Sequence, residues 1–143
     1  LYTVRVSAMD DGGEWTDWVA LAQNVAVMPA VTYVDANSAN PTYPYKTRET
    51  AATKISTVLT AFTNNVSAGL CAVDGLTVRV LSGTVDDNGM TLAAAVEIVG
   101  DTGDPKDVII NDNTVGKRAF NIQHAGAVVR DLTGNLKPVD GAM

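Results

Sequence analysis

The sequence predicts a mostly β fold with one helix, on three observations. Residues 76–133 break into short β-branched runs, among them Leu76-Thr77-Val78-Arg79-Val80, Val96-Glu97-Ile98-Val99, Val108-Ile109-Ile110 and Ala127-Val128-Val129. Gly, Asp, Asn or Pro punctuates nearly every gap, and no gap there holds a helix. The chain also contains one amphipathic stretch, in which Ala51, Ala52, Ile55, Val58, Leu59 and Phe62 recur at three- and four-residue steps.

Composition narrows the class of partner. The chain is 46% hydrophobic and 18% charged, so it can bury a core and is not disordered by composition. Aromatic residues make up only 6%, which leaves that core to Val, Ile, Leu and Ala. A formal net charge of −6 argues against a nucleic-acid partner, because phosphate binding needs a basic patch. It also disfavours anionic membrane surfaces, and no apolar run reaches the roughly 20 residues that span a bilayer.

In chain order, Tyr2, Val4 and Val6 alternate with polar residues. Asp10-Asp11-Gly12-Gly13-Glu14 reads as a turn, and Trp15, Trp18, Val19 and Leu21 restart an apolar pattern. Two strands alone are marginal in water, so this hairpin calls for further partners. The two tryptophans are expected to pack, with sugar stacking as the alternative. Ala26-Val27-Met28-Pro29-Ala30 reads as a linker, with a boundary that divides residues 1–28 from 29–143. Val31–Asp35 is a short strand, and the Asn- and Pro-rich residues 36–45 are a loop. A helix is expected over 48–62, with Thr47 or Thr50 as its N-cap and Asn64-Asn65 as its stop. The chain opens inside a strand-like run and stops at Met143 with no closing element, which reads as an internal fragment of a longer protein.

Two resemblances add to this. Tyr2-Thr3-Val4-Arg5-Val6-Ser7-Ala8, a Gly-rich turn and Glu14-Trp15-Thr16-Asp17-Trp18-Val19 resemble the last two strands of a fibronectin type III domain. Val31–Asp35, the Pro-rich loop, the amphipathic helix and Gly75-Leu76-Thr77-Val78-Arg79-Val80 resemble the start of a right-handed parallel β-helix of the pectin-lyase-like class. Val85–Leu92, Val96–Gly100, Val108–Asp112 and Ala127–Thr133 resemble its later steps, with Asp131 where the family has Gly.

The resemblance implies a right-handed parallel β-helix fragment with one N-terminal capping α-helix, preceded by a β-hairpin from a partial β-sandwich. Stacked coils bury their inward residues only against one another, so an end cap is required. Ile55, Leu59 and Phe62 are expected on the first coil, with Val96, Ile98, Ala127 and Val129 inward and Glu97 and Arg130 outward. A complete small β-sandwich is the competing reading, which antiparallel pairing of Val96–Val99 with Val128–Leu132 would signal. The coil near residue 136 is expected to self-associate, because its ladder lacks a successor.

Candidate chemistry is sparse. Asp86, Asp87 and Asp112 sit in oxygen-rich stretches of the kind calcium uses, and the family often uses calcium, but tight turns want the same residues. Asp101-Thr102-Gly103-Asp104-Pro105 lacks the far glutamate of a calcium loop. His124 and Cys71 are each the sole residue of their kind. His124 has no evident partner for acid–base work, and Cys71 reads as a small buried hydrophobe. No catalytic residue and no required cofactor is expected. The expected parent is a large exported or cell-surface bacterial protein concerned with carbohydrate contact, adhesion or structural display, with polysaccharide as partner. The alternative is a polysaccharide lyase or glycoside hydrolase with catalytic coils beyond Met143.

Overall fold

In the computed structural model, the described residues are 5–15, 17, 19–20, 28–69, 71, 75–112 and 118–136. They form a short hairpin, three parallel sheets and a single α-helix.

The hairpin pairs β1 (Arg5–Val6) antiparallel with β2 (Val19–Ala20), extended by a bridge between Met9 and Trp15. The acidic turn closes on itself. Asp10 donates its N–H to the Glu14 carbonyl at 2.9 Å, and its Oδ1 accepts the Glu14 N–H at 2.9 Å. Gly13 sits at φ +86°, where a side chain would be strained. Trp15 is 68% exposed, so this tryptophan does not pack as expected. Trp18 lies outside the described residues.

From Val31 onward every strand pairing between named strands is parallel. β3 (Val31–Val34), β4 (Leu76–Val80), β7 (Val96–Gly100) and β10 (Val128–Arg130) form the first sheet, with β4 and β7 in the middle. β5 (Gly83–Asp86), β8 (Val108–Asp112) and β11 (Thr133–Leu136) form the second, and β6 (Met90–Leu92) with β9 (Phe120–Ile122) the third. From β4 the chain visits the three sheets in rotation: first, second, third, then first again. Val128 pairs with Glu97, Val129 with Ile98 and Arg130 with Val99, all parallel, which an antiparallel sandwich lacks.

Side chains alternate across each strand, so equivalent positions stack into columns. Thr32, Val78, Ile98 and Val129 share one inward column, and Val85 and Ile110 share another. Val78, Ile98 and Ile110 are fully buried. Glu97 is half-buried and Arg130 exposed, as their outward placement requires.

Helix α1 runs Ile55–Ser67 and lays Ile55, Val58, Leu59 and Phe62 on the core beside β3, β4 and β6. Its limits differ from the expected 48–62. Arg48–Thr50 is a separate 3-10 turn, in which the Thr47 N–H donates to Thr50 Oγ1 at 3.3 Å. Ala51 and Ala52 are fully buried but extended, because Ala52 bridges Val34 in parallel. Asn64 and Asn65 continue the helix. Buried Asn65 donates to the Ala61 carbonyl at 2.7 Å and accepts from the Tyr43 hydroxyl at 3.0 Å.

This arrangement also seals the outer edge of β3. Tyr33 donates its N–H to the Tyr45 carbonyl, Ala52 donates to Tyr33 O, and Asp35 donates to Ala52 O, at 2.8–3.0 Å. Met28, placed in a linker by sequence, is buried in the same core. No helix among the described residues is long and apolar enough to cross a membrane.

Candidate functional site

The acidic candidates Asp86, Asp87 and Asp112 converge where β5 leads toward β6. Asp86 and Asn111 are register partners, which sets Asp87 beside Asp112 one step further along. Asp86 faces outward, while Asp87 is 6% and Asp112 1% exposed.

Their oxygens are largely committed to the fold. Asp87 Oδ2 accepts the Ser56 N–H at 2.7 Å, inside the first turn of α1, and its Oδ1 accepts the Asn88 N–H at 3.0 Å. The N-cap position of α1 is Lys54, which supplies no side-chain cap, so Asp87 takes that office from 31 residues away. Its charge also suits the positive end of the helix. Asp86 Oδ1 accepts from the Asn111 side-chain amide at 2.7 Å, and Asn111 Oδ1 accepts from the Asn135 amide at 3.3 Å. Asp86, Asn111 and Asn135 are register equivalents, so they form a polar ladder across all three strands of the second sheet. A calcium cage needs six to eight free oxygens, and this donor set does not make one. No cluster of three His, Cys, Asp or Glu side chains among the described residues could hold a metal ion.

A second constellation, missed at the level of sequence, lies on the outward face of the first sheet. Tyr33, Arg79, Val99 and Arg130 occupy one column across β3, β4, β7 and β10. Arg48 stands over the Tyr33 ring, its Cζ 5.9 Å from the centroid, within cation–π range. Asp101 accepts from Arg48 at 2.5 Å and from Arg79 at 3.3 Å. Arg130 donates to Glu97 at 2.8 Å and also to Asp131. Its hydrogen bond to Glu97, then that to Asp131, raises the guanidinium pKa above its ordinary value. The face therefore offers exposed, oriented guanidinium groups beside carboxylates and a half-buried phenol. Such a surface suits a hydroxylated polymer. Arginines and acids 20 to 50 residues apart carry no local signal, and only the register brings them together.

His124 and Cys71 do not join either cluster. The His124 ring accepts the Gly126 N–H on Nδ1 at 3.1 Å, and its carbonyl accepts from Ala127 at 3.0 Å, so it builds a turn. Cys71 is half-buried rather than buried, and desolvation pushes its thiol pKa up, away from nucleophilic use.

No protein-family model matches this chain, and neither does any curated protein or solved structure.

Proposed function

We propose that the chain is the capped start of a right-handed parallel β-helix of the pectin-lyase-like kind, tied through its hairpin to a fibronectin type III-like module. In this reading it belongs to a large exported or cell-surface bacterial protein. It serves carbohydrate contact, adhesion or structural display and catalyses nothing itself. The observation that carries the reading is the rotation of the chain through three parallel sheets with α1 laid across one end. Repeats of this kind need such a plug, because their first strands would otherwise pair with other chains. The outward column around Arg48, Arg79 and Arg130 supports polysaccharide as the partner.

The same column favours a second reading, in which the parent is a polysaccharide lyase or glycoside hydrolase with its catalytic coils elsewhere. Clustered Arg and Asp on one face is what an enzyme parent would show. One experiment separates the two for this chain. It is incubated with pectin, polygalacturonate and neutral glucans while retardation in polysaccharide gels and absorbance of unsaturated products are followed. Retardation without product is the expected result. Product formation establishes catalysis, and absence of both removes the carbohydrate role.

A further inference from the structure

The two ends of the sheet stack are chemically unlike. At one end the backbone of β3 is sealed by Tyr45 and Ala52, and α1 covers the strands beside it. At the other end β9, β10 and β11 have no outer neighbour among the described strands.

The inward columns tell the same story. Leu92 and Ile122 are register partners, yet Leu92 is 1% and Ile122 54% exposed. Met90 is buried and its partner Phe120 only partly so, and Ile98 and Val129 repeat the difference. What buries each apolar side chain in the stack is the equivalent residue of the next turn, and the last turn offers its apolar residues to whatever follows.

The polar ladder has a direction as well. It begins at Asp86, a carboxylate that only accepts in its ionised form, and ends at Asn135, an amide that donates one hydrogen to Asn111. Asn135 keeps the capacity to donate and to accept, which makes the open end self-complementary. A head-to-tail contact is closed off, because the matching edge of β3 is occupied.

We propose that the open face of β9, β10 and β11 binds a second copy of this chain, open end to open end about a two-fold axis, with Asn135 facing its own copy. Such a contact is isologous and closes at two, so it makes a dimer and no filament. It stands independently of the carbohydrate role, and the two are read by different measurements.

Sedimentation velocity of the intact chain from about 1 to 100 μM tests it, since that range brackets micromolar affinity. The expected result is a concentration-dependent dimer that grows no further. Ile122→Lys is expected to raise the dimer dissociation constant about tenfold or more with unchanged circular dichroism, because a charge there must be desolvated. Asn135→Asp, which sets like charges across the axis, serves if Ile122→Lys fails to fold. A monomer at every concentration, open-ended growth, or a dimer that a folded variant leaves intact overturns the proposal.

Discussion

Asp87 holds the first turn of α1 from across the core, its Oδ2 accepting the Ser56 backbone N–H at 2.7 Å. The contact joins the end of β5 to the helix that covers the stack. Asp87→Ala is expected to cost about 1–2 kcal/mol of folding stability, through loss of a cap and exposure of an orphan donor. Asp87→Asn should cost less, since the amide oxygen still accepts. Urea unfolding midpoints of the three proteins check the order.

The ladder from Asp86 through Asn111 to Asn135 makes a second prediction. Asn111→Ala should lose about 1 kcal/mol, the net worth of a side-chain hydrogen bond. Asn111→Asp should lose at least as much at low salt, because two carboxylates then face each other, and recover part of it as salt screens them. Unfolding at low and at half-molar sodium chloride distinguishes the two variants.

Gly100 and Asp131 share a third site. A Cβ built at Gly100 would stand 1.8 Å from the Asp131 carbonyl oxygen, which is backbone and cannot swing aside. Gly100→Ala is expected to cost about 3 kcal/mol or more, read as a fall in the thermal midpoint. Asp131 itself sits at φ +58°, a region that L-residues enter only at a cost. Asp131→Gly should therefore stabilise by about 0.5 kcal/mol, net of the exposed contact to Arg130.

Cys71 offers a chemical readout. Its pKa is raised by burial, so its thiolate is scarcer at neutral pH in the folded chain than in the unfolded one. Alkylation by iodoacetamide at neutral pH should be slow when folded and speed up in denaturant. By linkage, the stability this burial confers is present below the unfolded thiol's pKa and fades as pH rises through the folded one.

The comparison of residues with their places is instructive. Short β-branched runs and the inward set Val96, Ile98 and Val129 were legible, because strand alternation is local and strong. Parallel pairing was reached through the resemblance and then seen in the register. The helix start was misread because Ala51 and Ala52 continue the apolar spacing of Ile55 and Val58. Tertiary contact with β3 overrides that pattern and keeps them extended. The true cap, Asp87, is remote in sequence, so no cap motif near Thr47 could reveal it. Asp86, Asn111 and Asn135 read as turn residues, although their separations of 25 and 24 residues held a usable signal. The Tyr33–Arg79–Arg130 column could not be drawn without the register.

The sealing of β3 by Tyr45 and Ala52 sets the rule by which this architecture can change in size. Whole units of 24 or 25 residues can be duplicated or removed beyond the seal, each altering the rod by one strand spacing of about 4.8 Å, while the plugged end stays as it is. Length is thereby free to drift in evolution independently of the terminus that keeps neighbouring molecules from adding to it.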